Sequence, residues 1–291
     1  MIVLLKNNLN LFLFQNQNNF LNNLFNLFYR LLKCKKKNLN DFLYNYIKLG
    51  YSKSKKISLS EVQDIKNNIY NSKKIIKKNL IEYEIDKTLQ IKLKNIFLKN
   101  FSEEIEYFSD YFNSKIFVTH AKIFTNLGYS KNSKKKEQYF SENYHTDNYI
   151  FTYFKLFINL ENVDLEMGPL HFVPKNKQKE FIKITKYKNR FSYNDSNIDN
   201  LVFKNTGDIG ESIFVNTTQN FHRAGIPKNG KSRTVILFHL NAIPNNKDTD
   251  NFFYFNSLKE DIFADDKISR LVSKPHGIYQ TLKLFRSFVA N

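Results

Sequence analysis

Residues 150–160 read Ile150-Phe151-Thr152-Tyr153-Phe154-Lys155-Leu156-Phe157-Ile158-Asn159-Leu160. Aromatic and β-branched residues dominate this run, which predicts a strand. Similar runs stand at Ile116-Phe117-Val118, Leu201-Val202-Phe203, Ser212 to Val215 and Thr234 to Leu240. Turn signals separate them, at Asn126-Leu127-Gly128, Gly168-Pro169, Gly207-Asp208 and Asn229-Gly230. Many short strands after a helical block predict an α+β chain: an antiparallel double sheet, a jelly roll, flanked by helices.

Upstream, residues 40–112 read as mostly helical. Ser60 with Gln63 has the spacing of a capping box ahead of Ile65 and Ile69. Leu80 to Phe112 keeps helical periodicity without glycine or proline. The first 37 residues differ. Leu21, Leu24, Phe25, Phe28, Leu31 and Leu32 recur at helical spacing, and Lys33, Lys35, Lys36 and Lys37 close the stretch. An amphipathic segment of this kind suits either peripheral contact with an anionic membrane or packing on the protein itself. Packing is the favoured expectation, because Asn22, Asn23 and Asn26 make the polar face neutral. Beyond about Asn245 the chain turns polar, then helical again around Leu282, Phe285 and Phe288. The expected organisation is an N-terminal extension at 1–39, a domain at 40–245 with its jelly-roll core from about 115, and a C-terminal extension at 246–291.

Composition narrows the class. A chain of 291 residues with 42% hydrophobic and 16% aromatic content can bury a sizeable core, which argues against global disorder. No run approaches the ~18–20 apolar residues needed to span a bilayer. Met1 to Phe14 is broken by Lys6, Asn7, Asn8 and Asn10 and makes a poor signal peptide. Cys34 is the sole cysteine, which excludes an intramolecular disulfide and fits a reducing compartment, so a cytoplasmic protein is expected. The net charge of +18 invites a nucleic-acid reading. Lysine accompanies asparagine, isoleucine and phenylalanine throughout, however, and no RNA-binding motif stands out. No nucleic-acid partner is expected.

Among six histidines, His145 belongs to a tight pair, Tyr144-His145-Thr146-Asp147. In extended chain, residues two apart point to one face, so imidazole and carboxylate can reach one ion. Iron that activates O2 is held by two imidazoles and one carboxylate on one face of an octahedron, leaving three positions open. His222, in Asn220-Phe221-His222-Arg223-Ala224-Gly225, is the best source of the second imidazole. Arg233 follows eleven residues later and opens the run from Thr234 to Leu240, where its planar fork could clamp a carboxylate. Thr234 would point to the opposite face. Lys155 and Phe157 share one face of their strand, and either could line a pocket.

Taken together these segments resemble the phytanoyl-CoA dioxygenase family of Fe(II)/2-oxoglutarate-dependent oxygenases, over roughly residues 40–245. The resemblance is carried by Tyr144-His145-Thr146-Asp147, Leu156 to Leu160 with Glu161 to Asp164, and Met167-Gly168-Pro169-Leu170 with Val173-Pro174. It continues through Gly207-Asp208 and His222-Arg223-Ala224-Gly225 to Arg233-Thr234; Leu49-Gly50-Tyr51 with Ser58-Leu59-Ser60 looks like the family's entry. It implies a cupin-like double-stranded β-helix with Fe(II) held by His145, Asp147 and His222, and with 2-oxoglutarate held by Arg233. It further points to His120 and Lys122, on the strand before the His-x-Asp loop, as co-substrate contacts. His120 reads equally as a core histidine. No catalytic group beyond the metal ligands is implied.

The expected reaction is hydroxylation of an unactivated C–H bond in a small-molecule or acyl substrate, with O2 consumed and succinate and CO2 released. Ascorbate is a candidate reductant. Asp147 favours hydroxylation, because halogenating relatives replace the carboxylate with a small residue. Two departures fall on the substrate side: Lys175-Asn176-Lys177 follows Val173-Pro174 where Gly-Ser-His is common, and Ala224 stands where some members carry a hydroxyl. Two other readings stay open, a non-catalytic jelly-roll binding protein and a zinc hydrolase on the same ligands.

Overall fold

The computed structural model describes residues 39–243 except 78, 114, 129–141, 148–152, 191 and 195–196. The two extensions, with the amphipathic segment and the C-terminal stripe, lie outside the described residues. The described chain is a mixture of helices and antiparallel sheet. Its helices are α1 (Asp41–Leu49), α2 (Leu59–Tyr70), α3 (Lys87–Phe112) and α4 (Gln178–Thr185). Its strands are β1 (Tyr51–Ser54), β2 (Lys74–Lys77), β3 (Leu80–Tyr83), β4 (Lys115–Leu127) and β5 (Tyr153–Asn159). They continue as β6 (Leu170–Phe172), β7 (Phe203–Asn205), β8 (Ser212–Val215), β9 (His222–Arg223) and β10 (Ser232–Ile243).

Seven strands form one sheet, ordered β1-β8-β5-β10-β4-β3-β2, and three form a second, ordered β7-β6-β9. Two-residue alternation divides the large sheet into two faces. One face presents Phe154, Leu156, Ile158, Phe214, Ile236 and Phe238 to the helices. There α3, capped by Asp86 through its side chain and Leu89 N, lays Phe101, Phe108 and Phe112 across the strands. Phe108 sits 4.4 Å from Phe154 and 5.3 Å from Phe214, ring centre to ring centre. The other face presents Phe157, Ile213, Val215 and Leu237 to Leu170 and Phe172 of the small sheet. Tyr51 joins the sheets, stacking 5.9 Å from Phe172 and 4.7 Å from Phe203. This second interior carries the candidate site.

The segment at 40–112 departs from the expected helical block by containing β1, β2 and β3. Each has four residues, too short to show periodicity, and β1 gains its pairing from β8, with Tyr51 opposite Val215. The capping box also sits two residues earlier than expected. Ser58 accepts from Glu61 N, and the Glu61 carboxylate returns to Ser58 N. Gln63 instead bonds Asn67, and Glu61 is further fixed by Lys99 and Asn100. Leu201-Val202-Phe203 splits into a turn of 3-10 helix ending at Leu201 and the start of β7. The strand expected at Ser212 to Val215 is found with those bounds, and that at Thr234 to Leu240 extends to Ser232–Ile243. Among the described residues no helix is long and apolar enough to cross a membrane.

Candidate metal centre

His145 and His222 face each other across an antiparallel bridge that adds a further rung beside β9. His145 N donates to His222 O at 3.0 Å and His222 N donates to His145 O at 2.9 Å. Asp147 is held by its own amide, which donates to Thr217 O at 2.8 Å. These main-chain bonds bring three donor atoms, one each from His145, Asp147 and His222, within 4.8 Å of one another. Asp147 Oδ1 stands 3.8 Å from Nε2 of both His145 and His222. Among the described residues no other group of this kind occurs.

The hydrogen bonds settle which nitrogen faces the cluster. His145 Nδ1 lies 2.7 Å from Asn143 O, and His222 Nδ1 lies 3.1 Å from Asn220 O. A carbonyl only accepts, so each Nδ1 carries the proton and each Nε2 offers a lone pair. Burial pushes the His145 imidazole down to about 3, reinforced by His222 and opposed by Asp147. Burial likewise pushes His222 down to about 4, with Asp147 opposing. Both rings are therefore neutral near pH 7, the state in which they ligate metals. Burial disfavours an Asp147 carboxylate, yet the ammonium of Lys155, with His222 and His145, outweighs it and holds the group ionised, well below the ordinary carboxylate range. Two neutral imidazoles and one carboxylate fit a divalent transition metal with open positions.

Arg233 lies on the face of β10 that carries Leu237 and His239, while Thr234 points away and bonds Thr125 at 2.8 Å. The Arg233 residue is 3% exposed. Its Nε has no hydrogen-bond partner among the described residues. Burial lowers the guanidinium to about 10, with Glu161 opposing, but Glu161 is already engaged by Thr234 N. A buried guanidinium with an unpartnered N–H among the described residues is costly and suits an anionic guest.

The remaining candidates fall in two rows across the same face. Lys155, His239 and His120 pair directly on β5, β10 and β4, and Phe157, Leu237 and Lys122 form the next row. His120 stacks on His239 with ring centres 3.6 Å apart and lies 3.4 Å from the Thr119 hydroxyl. Lys122 Nζ lies 3.3 Å from Glu82 Oε1. Phe157 is buried in the apolar interior between the sheets. Lys155 is buried too, and its Nζ donates to Asp147 Oδ2 at 2.6 Å.

Several supports escaped the sequence reading. The carbonyls of Asn143 and Asn220 are main-chain groups, yet a signal was present: Asn-aromatic-His occurs as Asn143-Tyr144-His145 and again as Asn220-Phe221-His222. Tyr144 and Phe221 share one buried cluster with Phe181 and Leu201, so both ligand segments are anchored in the same apolar layer. Behind the rung, Arg223 lies over the Tyr144 ring at 4.7 Å and donates through Nε to His171 Nδ1 at 3.1 Å.

Between His222 and Arg233 the chain is braced by two glycines. A Cβ on Gly225 would lie 2.1 Å from Pro169 O and 2.7 Å from Gly168 C. One on Gly168, whose φ is +63°, would lie 2.4 Å from Pro227 N. Both collisions are with main chain, so neither residue can take a side chain without separating the two loops. Gly225→Ala is expected to lower unfolding free energy by about 1–3 kcal/mol. It should also weaken metal binding, since the displaced loop begins three residues after His222. Urea denaturation and metal titration of the variant check both effects; wild-type values in each would refute the brace.

No family model and no curated protein matches the sequence. Solved structures give remote likenesses. The non-heme alpha-ketoglutarate-dependent epimerase SnoN of nogalamycin biosynthesis aligns at a TM-score of 0.49 and 10% identity, over 69% of this chain and 81% of its own. HygX from Streptomyces hygroscopicus, with nickel and 2-oxoglutarate bound, aligns at 0.49 and 12% identity, over 76% and 97%. EctD from S. alaskensis aligns at 0.48 and 12% identity, over 72% and 81%.

Proposed function

We propose that this protein is an Fe(II)- and 2-oxoglutarate-dependent oxygenase of the phytanoyl-CoA dioxygenase type, hydroxylating a C–H bond of a small-molecule or acyl substrate. The observation that carries the reading is a three-donor set, His145, Asp147 and His222, in one domain with a buried guanidinium whose Nε has no hydrogen-bond partner among the described residues. The two facing antiparallel sheets support a double-stranded β-helix as the scaffold. In this reading residues 40–245 are the catalytic unit of a cytoplasmic protein, and 1–39 and 246–291 are additions to it.

Bound iron with 2-oxoglutarate supplies the oxidising power that turns O2 and a C–H bond into a hydroxyl, succinate and CO2. The chain's own residues do the positioning. His145, Asp147 and His222 would hold the metal on one side only, leaving the opposite side to co-substrate and O2. Arg233 would receive the distal carboxylate through two parallel charge-assisted hydrogen bonds. Phe157, Leu237 and Leu170 would keep water from the interior, and His120 and Lys122 are further candidate contacts along the same face. A zinc hydrolase would use the same three ligands but give Arg233 Nε, unpartnered among the described residues, no partner.

Anaerobic addition of Fe(II) and then 2-oxoglutarate tests the reading. One iron per chain is expected, followed by a visible charge-transfer band that appears only when both are present. Admission of O2 should then yield succinate. Iron binding without a 2-oxoglutarate-dependent band would overturn the oxygenase assignment.

A further inference from the structure

The two oxygens of Asp147 have different surroundings. Oδ1 is equidistant from the two histidine Nε2 atoms, at 3.8 Å each. Oδ2 accepts from Lys155 Nζ at 2.6 Å. From this asymmetry we infer that Lys155 is a positioning residue of the metal centre, holding Asp147 so that it offers one oxygen to the ion. The inference rests on the metal-centre reading above and goes beyond it.

Lys155 can do this because its strand leaves it nowhere else to go. It stands in the middle of the large sheet, between Val215 on β8 and His239 on β10. Val215 is apolar, and the His239 ring is occupied on one side by His120 and at Nδ1 by the Tyr153 hydroxyl. Among the described residues Asp147 is the hydrogen-bond partner of the ammonium. A lysine 9% exposed in such a place needs a carboxylate, and the carboxylate it finds is one of the three candidate metal ligands.

The chemical consequence is denticity. A free carboxylate can grip an ion through both oxygens, which would fill one of the three positions an oxygenase must keep open. With Oδ2 engaged by a cation, the second oxygen is unavailable and Asp147 binds through Oδ1 alone. Hydrogen-bonded partners of metal ligands act in this way generally, orienting a ligand they do not themselves share. A pocket-lining lysine that merely met the co-substrate would leave the metal environment unchanged until 2-oxoglutarate arrived.

Cobalt(II) binding to the 291-residue chain, in the absence of 2-oxoglutarate, tests this directly. Wild type, Lys155→Met and Lys155→Arg are titrated and their visible absorption spectra compared, with Lys155→Gln read in place of the methionine variant if that fails to fold by circular dichroism. Lys155→Met is expected to alter the Co(II) spectrum and to weaken Co(II) binding about tenfold or more, while Lys155→Arg, which keeps a cationic donor, stays close to wild type. Lys155→Gln should fall between them. If the spectrum and affinity of the neutral variant match wild type within a factor of about two, the inference fails, and any loss of 2-oxoglutarate affinity would then assign Lys155 to the co-substrate. If wild type itself takes up no stoichiometric Co(II), the metal-centre reading fails first, and this inference with it.

Discussion

His145→Ala and His222→Ala are each expected to reduce anaerobic Fe(II) binding from one ion per chain to none that is stoichiometric. Each replacement removes one of three donors grouped within 4.8 Å, and the lost nitrogen is the one whose lone pair faces the cluster. Two remaining donors hold an ion too weakly to keep it against exchange with water, whereas three on one face retain it. His171→Ala is the control. His171 is also a buried histidine, but its Nδ1 is engaged by Tyr144 and Arg223 and it contributes no donor to the group. That variant should keep one iron per chain. Full iron occupancy in both His145→Ala and His222→Ala would sink the assignment of the centre.

Arg233→Met is expected to have effects of opposite sign on stability and on co-substrate binding. Removing a buried cation whose Nε has no hydrogen-bond partner among the described residues should stabilise the co-substrate-free protein by about 1–3 kcal/mol. The same change should eliminate measurable 2-oxoglutarate binding, because the distal carboxylate would then be buried against a thioether. Arg233→Lys keeps the charge but loses the two-pronged geometry, so affinity should fall about tenfold, the equivalent of one weakened charged hydrogen bond. Urea unfolding with and without 2-oxoglutarate, beside titration of the charge-transfer band, measures both arms. Unchanged affinity in Arg233→Lys would move the carboxylate's partner elsewhere. A methionine variant less stable than wild type without co-substrate would mean that the guanidinium already has a protein counterion.

What could be read from the sequence follows from the reach of each signal. The two-residue period of extended chain was enough to put Asp147 beside His145, to place Lys155 with Phe157, and to point Thr234 away from Arg233. His222 could not be chosen from its own turn-bounded segment; Arg233 eleven residues on and the family resemblance singled it out. The short strands β1, β2 and β3 could not be read, because four residues carry little pattern, and β1 and β3 take their place in the sheet from the distant strands β8 and β4. Alternation assigned Lys155 a face but not a partner, since a four-carbon stem can meet any carboxylate in its neighbourhood. The repeated Asn-aromatic-His at the two histidines was visible in the letters, but its meaning depends on two main-chain carbonyls that any residue could have offered.

The rung that joins His145 to His222 closes through main-chain amides and carbonyls alone. The spacing between the two imidazoles is thus set by folding and is ready before any ion arrives. A cradle of that kind does little to reshape itself around a preferred guest, so its affinities should climb the Irving–Williams series from manganese through iron and cobalt to nickel and copper. Selection then passes from the protein to its surroundings. Which ion is carried becomes a record of what the medium supplied, and two preparations of one sequence can differ in colour and in competence while being identical in every residue.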